Sequence, residues 1–200
     1  MSSSFYESMI EIWTGGGWLM IPLAILVIVI YYVLFDTWGF LSRNNFYRED
    51  PNAWEHWIDR PEDSQGEIGH ILRYVRGDRL PIADMRWRFE EVRIALLKPI
   101  TRRIIFGSIL TGTAPLTGLL GTVAGMLSTF GGLSTGAGGE TVDVVAGGIS
   151  QALITTQAGL IVAIPAYIII ASIKRRRDEM ELFLSKLETY TVKRVEHLRK

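Results

Sequence analysis

The sequence predicts an all-α, three-span helical membrane protein with helices extended into the cytoplasm, and two observations predict it. Three stretches contain no Asp, Glu, Lys, Arg or His: Ile12 to Phe35, Ile104 to Gly139 and Val144 to Ile173, which are 24, 36 and 30 residues long. Each exceeds the ~20 apolar residues that cross a hydrocarbon core. All 21 Lys and Arg then fall in two blocks, Arg43 to Arg103 and Lys174 to Lys200. The positive-inside rule puts both blocks on the cytoplasmic face, and the N-terminus and the loop between the second and third spans on the other.

Residues 1–16 are read as an extracytoplasmic N-terminus and 17–35 as the first transmembrane helix. A cleavable signal peptide carries a basic flank and a short apolar core. Here the flank holds Glu7 and Glu11 and the core is too long, so a retained anchor is expected. Residues 36–103 are expected to form a cytoplasmic helical region with twelve basic and twelve acidic residues. Within it, Pro51 and Pro61 bracket a segment over 52–60 in which Trp54, Trp57 and Ile58 fall at helical spacing. A second short helix is expected over Glu67 to Arg76. Ile82, Met85, Phe89, Val92 and Leu96 recur at steps of three and four, which predicts a long helix that enters the second span through Lys98-Pro99, with Pro99 as a point of kinking.

The second charge-free stretch is too long for one crossing. The run from Gly131 to Gly139 is a poor helix former, so transmembrane helix 2 is placed at 104–130 and an extracytoplasmic Gly-rich loop at 131–143. Transmembrane helix 3 follows at 144–173, and a cytoplasmic C-terminal helix at 174–200. In that helix Met180, Phe183, Leu184 and Leu187 make an apolar stripe, a surface for packing within or between subunits rather than for a cofactor.

Net charge is zero, so no bulk field points to nucleic acid. The run Lys174-Arg175-Arg176-Arg177 directly follows a span, which makes it a topology anchor against the lipid bilayer. There is no cysteine, and His56, His70 and His197 lack ligand spacing, so no metal site is expected. Gly136-Ala137-Gly138 is not followed by a Lys-Ser/Thr pair, and no nucleophile and base are legible. The expectation is no catalytic residue, no cofactor and no enzyme.

Along the second span, Thr111, Pro115, Gly118, Thr122, Gly125 and Thr129 recur at steps of four and three, so one face is small and hydroxylated. The third span carries Ala152, Thr156, Gly159, Ala163 and Ala166 on a similar face. Such faces let helix backbones approach, and Gly121 to Gly125 is a GxxxG pattern. Gly118, Gly121, Gly125, Gly159 and Ala163 are the expected packing residues. Two readings of the stripes stand side by side, plain helix packing and a polar pathway. Ser150, Gln151, Thr155, Thr156 and Gln157 cluster in the third span and are expected to face protein or water, because lipid does not tolerate that many polar groups.

The segments Ala114 to Val123, Gly148 to Thr156 and Gly159 to Ala166 resemble the signature segments of the ExbB/TolQ/MotA proton-channel family. Three spans resemble ExbB and TolQ rather than the four-span MotA. The resemblance implies a subunit of a pentameric ring in a bacterial inner membrane, with a periplasmic N-terminus and a cytoplasmic C-terminus. The ring would enclose an ExbD- or TolR-like single-span partner that carries an intramembrane Asp, and would energise a TonB-like protein. A Tol-type envelope-maintenance subunit and a non-conducting scaffold are the alternatives. Carried over by motif, Thr122 and Thr156 fall at the family's two pore-facing threonine positions; Thr155 and Gln151 are placed with them as path-lining residues. ExbB and TolQ usually have Glu where this chain has Gln151, which marks a divergent branch. Since the three spans hold no carboxylate, amine or imidazole, any proton carrier has to come from another chain.

Overall fold

A computed structural model describes residues 15–43, 57–58, 66–76, 81–134 and 141–198. The order of elements is α1 (Met20–Arg43), α2 (Gly66–Arg76), α3 (Ile82–Ser134) and α4 (Thr141–Leu198), with no strand among the described residues. The fold is all-α, and α1, α3 and α4 are each long and apolar enough to cross a membrane. The expected helix over 52–60 lies outside the described residues except at Trp57 and Ile58, and so do residues 135–140 of the Gly-rich loop.

Helix bounds differ from the expected spans in an instructive way. α1 continues to Arg43, eight residues past Phe35, where the apolar stretch ends. α3 stays helical through Gly131-Gly132 to Ser134 rather than stopping at Phe130, and it is continuous through Pro99. Glycine costs only ~1 kcal/mol relative to alanine in a helix interior, so a helix already propagating absorbs it. At the other end of α3, the Pro81 carbonyl accepts from the amides of Asp84 (3.1 Å) and Met85 (3.2 Å). Asp84 adds an acidic group in the first turn, where the helix dipole favours it.

The chain divides into two compact units. One comprises the residues up to Phe35 with Ile105–Ile170, the other Asp36–Ile104 with Ala171–Lys200. The second unit has a core of aliphatic and aromatic side chains: Ile68, Leu72, Val75, Met85, Phe89, Ile100, Met180, Leu184 and Leu187 are all buried. α2 supplies its buried face at steps of three and four, through Ile68, Ile71, Leu72 and Val75. Tyr74 on its outer side donates to Glu91 at 2.6 Å and lies under the Arg88 guanidinium. That hydrogen bond to Glu91 holds the Tyr74 phenol above its usual range, with desolvation adding in the same direction.

Arg93 ties α3 to α4 in this unit. Its guanidinium donates to Glu90 and Glu188, both at 2.8 Å, and to Ser185 at 3.4 Å. The Arg93 and Glu188 side chains are 25% and 24% exposed, so the pair is screened less than a surface pair and more than a buried one. Replacing Arg93 with Met keeps the aliphatic stem, and is expected to lower stability by about 1–2 kcal/mol as Glu188 loses its partner. A thermal melt in mild detergent followed by circular dichroism checks this; an unchanged midpoint would show the bridge to be incidental.

The first unit is built the other way round. Its buried residues are largely small or hydroxylated, among them Thr111, Ala114, Thr129, Ala152, Thr155, Ala163 and Ala166, with Leu23, Ile30 and Leu34 from α1. Its large side chains point outward: Ile21, Ile25, Ile28, Leu116, Leu119, Leu127, Phe130, Leu153, Ile164 and Ile168 are all exposed. In water that surface would be untenable. Surrounded by hydrocarbon it costs nothing, and close packing of small residues then holds the helices together.

Candidate functional site

The second and third spans meet along a seam with little side chain in it. An ideal Cβ built on Gly159 would lie 2.7 Å from the Ala114 carbonyl oxygen, and one on Gly118 would lie 2.8 Å from the Thr155 carbonyl oxygen and 2.9 Å from Thr156 Cα. On Gly125 it would lie 2.8 Å from the Gly148 carbonyl oxygen. The two backbones therefore touch at three successive levels, and their antiparallel register pairs residue 114 with 159, 118 with 155 and 125 with 148. Gly121 leaves the room that the Thr155 side chain fills, and Gly148 leaves room for Thr129. Ala163 is buried on the same helix as Gly159.

The threonine hydroxyls along the seam bond to main-chain carbonyls, which is how a threonine is tolerated in a membrane helix. Thr111 donates to Gly107, Thr117 to Thr113 and Thr129 to Gly125, each one turn back. Thr156 reaches across the seam: its hydroxyl donates to the Gly118 carbonyl at 3.0 Å and also lies 3.3 Å from its own helix's Ala152 carbonyl. In an α-helix the Gly118 carbonyl is also the acceptor for the Thr122 amide. Thr156 is thereby held beside the Thr122 turn of the facing helix. The Thr122 hydroxyl donates to Leu119 at 2.7 Å. Both residues are half-buried, at the margin of the seam.

Two residues expected beside them stand elsewhere. Thr155 is 2% exposed and donates to the Ala152 carbonyl at 3.0 Å, so within this chain it fills the seam, in the space left by the missing Cβ of Gly121. Gln151 precedes Thr156 by five residues, which turns it about 140° around the helix. Its amide abuts Gly17, just before α1, where Gly17 adopts φ 68°. Glycine takes that left-handed backbone without strain, and its missing side chain leaves space for the amide. Tyr31 of α1 donates to the Val162 carbonyl at 3.4 Å, on the same side of α4. Gln151 thus belongs to the contact with the α1 side, and Thr122 with Thr156 to the seam margin. Ser150 and Gln157 are exposed on this chain.

A run of three glycines at 15–17 is the signal in the sequence that could have pointed to the Gln151 contact. Among the described residues no three His, Cys, Asp or Glu come together to hold a metal ion.

Comparison with known proteins agrees with this architecture. Residues 85–186, which include the whole seam, match the model of the MotA/TolQ/ExbB proton channel family. The chain is 34% identical over 168 residues to the biopolymer transport protein ExbB-like 1 of Synechocystis, which covers 77% of this chain and 66% of that protein. It is 39% identical over 89 residues to an ExbB-like 1 protein of Helicobacter pylori, covering 44% of this chain and 47% of that one. It is 36% identical over 98 residues to the Tol-Pal system protein TolQ of Haemophilus influenzae, covering 48% and 42%. The chain thus spans between about two fifths and two thirds of these relatives. With half of its residues on the family model and the seam inside the matched region, the chain belongs to the MotA/TolQ/ExbB proton channel family.

Proposed function

We propose that this chain is a ring-forming subunit of an inner-membrane proton channel that couples proton motive force to movement of a single-span, ExbD- or TolR-like partner, and that it energises a TonB-dependent system. The observation that carries this reading is the hydroxyl pair at the seam margin. Thr122 and Thr156 already give their protons to backbone carbonyls, so each oxygen is left with lone pairs that accept. They suit a donor, such as the protonated carboxyl of a partner aspartate.

An aspartate in a span is driven towards its neutral form by desolvation. Neutral, it donates to a threonine oxygen. Once it has released its proton, the hydroxyls can rotate to donate to the carboxylate, and the Gly118 and Leu119 carbonyls keep their ordinary helical amide partners. The site therefore accommodates both protonation states without a titratable group of its own. Alternate occupancy of the two states gives a partner helix two preferred positions, which is what conversion of a proton gradient into movement requires.

The test is proton flux into liposomes that hold this chain with its partner, followed by a pH-sensitive dye. Flux that disappears when the partner Asp is replaced by Asn is the expected result. Absence of flux with the intact partner, assembly having been verified, would overturn the channel reading and leave a non-conducting scaffold. Relatives carry both ExbB-like and TolQ names, so a Tol-type role in envelope maintenance is the second reading. Copurification in mild detergent separates them: a TonB-like third component supports the first, Tol components the second.

A further inference from the structure

Four consecutive basic residues, Lys174 to Arg177, follow the third apolar stretch, and within their unit they do not behave alike. Arg175 pairs with Glu179 at 3.0 Å. Arg177 pairs with Asp178 at 2.9 Å and with Glu181 at 2.7 Å. On α3, Arg103 pairs with Asp36 at 2.8 Å. Arg176 instead places its guanidinium carbon 4.0 Å from the centroid of the Trp38 ring. Arg175 and Arg177 take carboxylates, and Arg103 takes Asp36 with the Phe40 ring 5.5 Å from its guanidinium carbon; Arg176 takes an aromatic face at the shorter distance.

A guanidinium carbon 4.0 Å over the ring centroid is at stacking distance. The N–H donors lie in the guanidinium plane, in the fork that matches two oxygens of a phosphate. Stacking also removes much of the freedom an arginine loses on binding, so the fork is partly ordered in advance. Trp38 stands three residues past the end of the first apolar stretch, and Arg176 three residues past the end of the third. Both therefore sit where hydrocarbon gives way to headgroups, the level that tryptophan prefers. Lys174, two residues from Arg176, is exposed and adds a positive charge.

We propose that Arg176, held over Trp38, binds the phosphate of an anionic phospholipid headgroup. The ligand is a lipid rather than a free phosphate because the fork lies at the end of two apolar stretches that the acyl chains would line, and an anionic lipid is favoured over a zwitterionic one because no ammonium then opposes Lys174. The site acts as a headgroup clamp at the membrane boundary, and it holds whether or not the chain conducts protons.

The experiment is native mass spectrometry of the full chain released from micelles that contain equal phosphatidylglycerol and phosphatidylcholine, counting retained lipids. Wild type is expected to retain phosphatidylglycerol preferentially. Arg176→Gln should lower that retention about fivefold, the factor one basic residue contributes near an anionic surface, whereas Arg175→Gln, whose charge is already offset by Glu179, should stay within about twofold. Arg176→Lys keeps the charge and the ring contact but loses the fork, so an intermediate retention is expected; this variant carries the test if the glutamine does not fold. Equal losses in the two glutamine variants, or no loss in either, would overturn the site in favour of diffuse surface charge. Displacement of the lipid by millimolar inorganic phosphate would overturn the lipid as ligand.

Discussion

Replacing Gly159 with valine should leave no stable α3–α4 pair, and with it no assembled channel. The reason is geometric. A Cβ at Gly159 meets the Ala114 carbonyl oxygen at 2.7 Å, with the Ala114 carbonyl carbon and Pro115 Cα both at 3.3 Å. All three are main-chain atoms of a continuous helix, so no side chain can swing away; the helices have to separate. Separation breaks the contact at the other two levels as well, since Gly118 and Gly125 rest on the same two backbones. It also removes the Thr156 bond to Gly118.

Overpacking at a single core position costs about 1–3 kcal/mol where side chains can adjust. Here they cannot, so the loss lies at or above that range, and Gly118→Val should behave alike. Gly147→Ala is the control: it lies on α4 too, but a Cβ there meets nothing within 4 Å. Size-exclusion profiles and thermal melts in mild detergent check the set. A Gly159→Val protein that melts with wild type would show the seam to be dispensable.

The seam was legible in the sequence because its cause is local. Small residues at steps of three and four can only make a small face, and two such faces on adjacent spans have an obvious use for each other. The class of fold was legible for a similar reason, since a charge-free run of span length is the composition that hydrocarbon selects and water does not. Helix ends were less so: Gly131 and Gly132 read as breakers, yet α3 runs on to Ser134, because propensity is a weak prior beside an established helix.

Within the site, closeness in sequence grouped Ser150, Gln151, Thr155, Thr156 and Gln157 as one polar cluster. Neighbours in sequence are not neighbours around a helix. Thr155 was drawn into the gap at Gly121, and Gln151 was turned to meet Gly17, and neither contact is visible until α1 and α3 are in place.

That division yields the second large effect, on conduction. Thr156→Val is nearly isosteric, so the seam should stay closed while one oxygen disappears from its margin. If a partner carboxyl donates to that oxygen, its loss removes a hydrogen bond to a group that becomes charged, about 1.5–3 kcal/mol. In flux that is roughly a 10- to 100-fold decrease. Thr156→Ser restores the oxygen without the methyl and should recover most of the flux. Thr155→Val separates the two roles: its hydroxyl bonds only its own helix in this chain, so stability is the quantity it should move, and flux per assembled complex should hold within about twofold of wild type. Gln151→Leu, on the α1 side, should also leave flux per complex nearly unchanged. The measurement is dye-monitored proton uptake by liposomes with equal amounts of assembled complex. Full flux in Thr156→Val would remove this hydroxyl from the path, and a collapse in Gln151→Leu with Thr156→Val unaffected would move the path to the other side of α4. A hydroxyl at the margin accepts from a partner acid while it is protonated and can turn to donate once it is ionised, so it serves both states of the acid, and a methyl group in its place serves neither.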